Sequence, residues 1–157
     1  MSPLDRARSL LLRFQKVSVE KSTYNRAIYS YMSCEDAQCL DSSTMVRFRM
    51  SVEPHMIDCL TQSLHTGAIA AVVDGCTSLC MMLADPDSRS PVSINLNISN
   101  FTAPKLNSLV DIETRCWHSE LNLGQTTARL TSGGVLVASA SHRHMLFSTH
   151  PLLAKVI

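Results

Sequence analysis

The chain has almost no net charge, since 14 Lys and Arg against 13 Asp and Glu leave +1 over 157 residues. A basic field of the kind that holds a nucleic-acid backbone is therefore missing, and nucleic acid is not an expected partner. Six cysteines are present (Cys34, Cys39, Cys59, Cys76, Cys80, Cys116), but none forms a C-x-x-C pair. Neither a zinc ribbon nor a dithiol redox motif is indicated. Four of the six sit in apolar or strand-like runs and read as reduced core thiols of an intracellular protein. No apolar run approaches the ~20 residues of a membrane span, so no span is expected. Internal repeats, low-complexity tracts and a linker long enough to divide two domains are also missing. Without a signal peptide, the glycosylation-like triplets at Asn97 and Asn100 carry no weight.

What is present is the composition of an ordinary globular domain: 45% hydrophobic and 17% charged residues. A chain of this length buries roughly two thirds of its unfolded surface, enough for a real core. Ser2, Pro3 and Asp5 form a helix-start signal, and Leu4, Ala7, Leu11 and Phe14 recur at helical spacing. One short amphipathic helix is expected there, within an extension over 1–23 that precedes a domain over 24–157. Its arginines also suit a transit peptide, so the expected compartment is cytoplasmic or mitochondrial.

Residues 24–53 read as two strands around a polar break at 34–43, the second of them, 44–50, alternating cleanly. From 66 to 83 the chain is apolar nearly all round and unbroken by proline, which predicts a buried helix. Four strands follow. Val92, Ile94, Leu96 and Ile98 alternate with Ser93, Asn95, Asn97 and Ser99 as in a half-buried strand. Strands over 109–118, 124–131 and 135–147 come next, the last two joined by a tight Ser132-Gly133-Gly134 turn. A helix with no polar face cannot lie on a surface, so the sheet must wrap it. The expected class is α+β, an antiparallel sheet around a long central helix.

Three stretches carry a family resemblance: Leu64-His65-Thr66-Gly67-Ala68 through Asp74, the strand Val92-Ser93-Ile94-Asn95-Leu96-Asn97-Ile98, and the turn Ala103-Pro104-Lys105. In this order and spacing they resemble the acyl-CoA thioesterase branch of the hotdog superfamily. The likeness continues through Ala128-Arg129-Leu130-Thr131-Ser132 and Ala140-Ser141-His142-Arg143-His144, and spans about residues 44–147. It implies a hotdog fold, hydrolysis of a fatty acyl-CoA to free acid and CoA, and no cofactor, because CoA belongs to the substrate. It also implies a homo-oligomer, a dimer with shared sites that pairs into a dimer of dimers.

Thioester hydrolysis needs a carboxylate that attacks or activates water, and donors for the oxyanion of the tetrahedral intermediate. Asp74 is the only acidic residue between His65 and Leu83. A buried bare carboxylate is costly, so Asp74 is either hydrogen-bonded or exposed in a cleft, and it is a functional candidate on that ground alone. The alternative is an Asp that caps a loop or serves an interface. Unpaired N–H groups at a helix start favour developing negative charge, and the resemblance assigns the oxyanion donor to the Thr66 N–H. Thr66 replaces the family's first glycine, and glycine is kept only at Gly67. His65 is expected to support the turn. Ser93 corresponds to a serine that holds the water in relatives, or is one hydroxyl on a polar strand face.

Relatives also carry an Asn or Gln several residues before the His, a position that falls on Cys59 here, with Asp58 and Gln62 nearby. Lys105 and Arg143 are candidates for the CoA phosphates, against the alternative of a solvated face, and the resemblance sets His142 and Asn97 among the substrate-binding residues. His142 and His144 share a strand face, but no third metal ligand is evident and no metal is expected. Met81 and Met82 suit an acyl tunnel or plain core filling. Two function classes stand: an acyl-CoA hydrolase, and a non-catalytic hotdog protein that binds acyl-CoA or another apolar ligand.

Overall fold

The computed structural model describes residues 1–20, 26–87, 89–117 and 122–147. Helix α1 (Pro3–Glu20) starts as its sequence dictates. Ser2 Oγ accepts from the Asp5 N–H at 3.2 Å while the Asp5 carboxylate accepts from the Ser2 N–H at 3.3 Å, a reciprocal cap that satisfies orphan donors. The helix is longer than expected and buries Ala7 and Leu11 in the main core. The expected boundary at residue 23 lies outside the described residues.

One correction concerns the segment after it. A single helical turn, α2 (Arg26–Tyr29), is followed by strand β1 (Met32–Cys39), which occupies the stretch read as a polar break. Cys34 and Ala37 face inward there, while Glu35 and Gln38 face away from the core. A bulge between Cys34 and Asp36 disturbs the alternation and hides the strand in the sequence. Strand β2 (Ser43–Ser51) follows, then α3 (Thr66–Ala84), β3 (Ser90–Asn100), β4 (Leu109–Trp117), β5 (Leu123–Ser132) and β6 (Val135–Phe147). His118, read as the end of the 109–118 strand, lies outside the described residues.

All strand pairs are antiparallel, in the order β1-β2-β4-β5-β6-β3. The β5–β6 hairpin turns at Gly133 (φ 55°) and Gly134 (φ 82°), two left-handed positions that side chains adopt only with strain. The sheet closes over α3, whose Val72, Val73 and Cys76 are wholly buried against Phe48, Ile112, Leu130 and Val137. By length and composition α3 is apolar enough to cross a membrane, although no span was expected. Here it is the core of the sheet. An antiparallel sheet wrapped around one central helix is the hotdog fold.

Two features of the sheet position the site. The outer edge of β1 is occupied: Arg8 Nε donates to Cys34 O at 3.1 Å, and the Gln15 amide donates to Tyr29 O and Met32 O. The opposite edge, β3, pairs only with β6 and is otherwise bare among the described residues. In addition, the β3 alternation read from the sequence does not run through. Ser93 is opposite His144 and Asn95 opposite Arg143, so Ile94 is an extra, bulged residue. Directly opposed residues share a sheet face. Ser93, Leu96 and Ile98 therefore all face the helix, whereas the sequence pattern set Ser93 with the outward asparagines.

Candidate active site

The bulge brings a hydroxyl onto the central helix. Ser93 Oγ donates to Asp74 Oδ1 at 2.7 Å, and the Asp74 side chain is about half exposed (47%). The carboxylate is thus held on one side and open to solvent on the other, as attack on a bound molecule requires. Gly75 leaves room for Tyr29 beside it: a Cβ there would come within 2.6 Å of the tyrosine hydroxyl. Burial pushes the Tyr29 hydroxyl well above its usual pKa, and the nearby Asp74 charge adds to that.

On the inner side of Asp74 stands His142, with Nε2 3.6 Å from Oδ1 and the ring wholly buried. His142, expected among the substrate-binding residues, is thus closed off from solvent and meets the site through Asp74. Burial lowers its pKa, and the Asp74 charge opposes the shift. Its Nδ1 lies 2.7 Å from Thr77 Oγ1, which is itself 2.6 Å from Val73 O. His144 packs against it with ring centroids 3.8 Å apart, and burial followed by His142 lowers the His144 pKa to about 3. Sequence reasoning missed Thr77. Its signal was a hydroxyl pair, Thr77-Ser78, beginning three residues after Asp74 in a largely apolar helix.

A second group gathers at the start of α3. His65 is the N-cap, and its Nδ1 accepts from the Gly67 N–H at 2.9 Å. The Ala68 and Ile69 N–H groups donate to His65 O. Among the described residues the Thr66 N–H has no acceptor, which leaves it free for a ligand. Thr66 does not have a positive φ, so the threonine sits without strain where the family pattern has glycine. Gly67 is the position that needs glycine: a Cβ there would lie 2.9 Å from His65 Nδ1. Replacing His65 by Ala should remove the cap and cost about 1 kcal/mol of stability. A lower urea midpoint with an unchanged slope would show it.

The loop before the helix is tied to itself. Asp58 Oδ1 accepts from the Leu60 and Thr61 N–H groups, and the Thr61 and Leu60 donors hold the carboxyl below its usual pKa. Cys59 is exposed, and its carbonyl accepts from the Gln62 amide at 2.9 Å. That amide is turned back on its own loop and supplies no second donor to the Thr66 side. Lys105 is exposed beside the same turn, since its backbone bridges Ser63 and Leu64 N–H donates to Pro104 O.

The remaining candidates lie elsewhere. Asn97 is on the outer sheet face, where its amide donates to Asn95 Oδ1 at 2.6 Å, and exposed Arg143 is opposite Asn95 on that face. The structure therefore joins Asp74 with Ser93 and His142 in one cluster. His65, Thr66, Gly67, Cys59 and Lys105 form another. Asn97 and Arg143 belong to neither.

No family profile matches the sequence, and no curated protein matches it. Solved structures do match in fold. Zebrafish thioesterase superfamily member 2 is 20% identical over 92% of this chain and 98% of its own, with a TM-score of 0.76. The mouse thioesterase superfamily member 2 is 21% identical over 94% and 99%, with a TM-score of 0.74. A hypothetical thioesterase from Streptococcus pneumoniae, solved with coenzyme A, is 17% identical over 75% of this chain and 87% of its own, at 0.66. At these identities the shared property is the hotdog fold.

Proposed function

We propose that the protein is an acyl-CoA thioester hydrolase that works as a homodimer with shared sites. The carrying observation is the half-exposed Asp74 carboxylate fixed by Ser93 on the same helix whose first N–H, that of Thr66, is unoccupied. One group supplies the carboxylate chemistry, and the other a donor where the oxyanion develops. The thioesterase names of the structural neighbours, and the coenzyme A bound to one of them, support the same substrate class. Lys105, exposed beside the helix start, is the candidate cation for a coenzyme phosphate in this reading.

The dimer follows from the two sheet edges. An uncovered edge strand is a template for another chain, and proteins usually cover it. α1 attends to β1, yet β3 offers eleven residues with Val92 and Ile94 exposed. A second copy pairing there two-fold would sit next to Ser93 and Asp74. Joining two such dimers into a tetramer belongs to the same reading.

The experiment is an acyl-CoA panel assayed for free CoA. At least one member should be turned over at a rate proportional to enzyme. The self-bonded Gln62 amide favours a second reading, because losing one oxyanion donor costs about 100-fold to 1,000-fold in rate. Saturable binding of acyl-CoA without release of CoA would replace hydrolysis by a binding role.

A further inference from the structure

The feature that carries furthest is the unpartnered nitrogen behind Asp74. His142 Nε2 and His144 Nδ1 are buried side-chain atoms with no hydrogen-bond partner among the described residues. Buried polar atoms in this state are rare and call for a reason. The tautomer of His142 follows from its neighbours. Thr77 has one proton, and its 2.6 Å contact to Val73 O, one helical turn back, takes it. The Oγ1 atom then accepts from His142, so Nδ1 carries the hydrogen and Nε2 presents a bare lone pair to Asp74 Oδ1. Two lone pairs 3.6 Å apart do not bond. A proton placed between them would close the gap into a charge-assisted hydrogen bond.

We infer that His142 is a positioning residue that holds, between its Nε2 and Asp74 Oδ1, the proton Asp74 takes from the attacking water. The inference rests on the hydrolase reading and selects its general-base form. The water oxygen bonds to the thioester carbonyl carbon while the water proton passes to Asp74 Oδ1. His142 Nε2 takes a share of that proton for the lifetime of the tetrahedral intermediate. As the C–S bond breaks, the proton returns through Asp74 to the departing sulfur. The products are the free acid and the CoA thiol, with no change of redox state.

The surroundings suit a transient charge. His142 is faced by Asp74 and Thr77 from α3 and by His144 along β6. Thr126 on β5 lies between the strands, with its hydroxyl 3.1 Å from His144 Nε2 and 3.3 Å from His142 O. Asp74 is the only one of these that bears a charge when both rings are neutral. Burial favours the neutral form of His144, so it fills the wall without competing for the proton.

Two measurements test this on the full chain. In the first, the ring nitrogens of His142 are titrated by NMR in the wild type and in Asp74→Asn. Removing the carboxylate should lower the His142 pKa by about half a unit or more, because an adjacent anion favours the protonated ring. An unchanged titration overturns the inference, and this arm needs no turnover. The second compares His142→Asn, which keeps a donor toward Thr77, with His142→Gln, which reaches Asp74 but has no basic nitrogen. Both should lose about 100-fold in kcat with KM within about threefold. Imidazole should restore turnover to His142→Ala, and thiazole, of the same shape but weakly basic, should not. Wild-type turnover in the Gln variant, or equal rescue by thiazole, shows a space-filling role and overturns the inference. If the wild type releases no CoA at all, the hydrolase reading fails instead, while the titration still reports whether His142 and Asp74 share a proton.

Discussion

Asp74→Asn should abolish hydrolysis while leaving ligand binding intact. The substitution keeps the size of the side chain, and the Ser93 hydroxyl can still donate to the remaining carbonyl oxygen, so the site keeps its shape. What disappears is the negative charge that attacks the thioester or takes a proton from water. An interaction needed only in the transition state, once removed, lowers kcat without a matching rise in KM. The expected loss is at least about 100-fold. It would be read as initial rates of CoA release beside a direct binding titration. Near wild-type turnover would take Asp74 out of the mechanism, and a parallel loss of binding would make it a structural residue.

The larger effect is expected from mixing two inactive variants. Thr66 and Asp74 are eight residues apart on α3, which at ~1.5 Å per residue separates them by ~12 Å along the axis. A carbonyl held at the Thr66 N–H is out of reach of the same chain's Asp74, since reacting atoms must approach to about 3 to 3.5 Å. Only a partner whose helix runs roughly antiparallel can bring the two groups together, and a two-fold pairing makes two such sites. Thr66→Pro removes the N–H at the first helical position, where proline is tolerated. Asp74→Asn removes the carboxylate. In a mixed dimer one site carries both lesions and the other carries neither. Random pairing makes half the dimers mixed, so activity should recover from near zero to roughly a quarter of wild type. If verified mixed dimers stay as inactive as each parent, the carboxylate and the donor do not act across two chains.

Much of the architecture was legible because it rests on local rules. The all-round apolar stretch at 66–83 can be stable only when covered, which demanded a central helix and a wrapping sheet. Ser2 with Asp5 marked the first helix, and the two glycines at 133 and 134 marked the last hairpin, because capping and left-handed turns are decided by a few adjacent residues. The first strand was not legible, since its solvent face is polar and its bulge breaks the period of two.

The chain by itself determined that Asp74 stands isolated in an apolar helix, and that a helix start with His65, Thr66 and Gly67 precedes it. It also determined which side chains could supply acid, base or cation. Tertiary structure decided which of them meet. The bulge at Ile94 turned Ser93 from the outer face onto Asp74, a parity change that depends on pairing with β6 and not on the order of residues in β3. Burial placed His142 on the inner wall, because β6 presents alternate residues to the helix and the partner of Nδ1, Thr77, comes from that helix. Contacts of this kind join residues 19 and 65 positions apart. Sequence periodicity reports which face a residue prefers, and only the assembled sheet fixes what lies across from it.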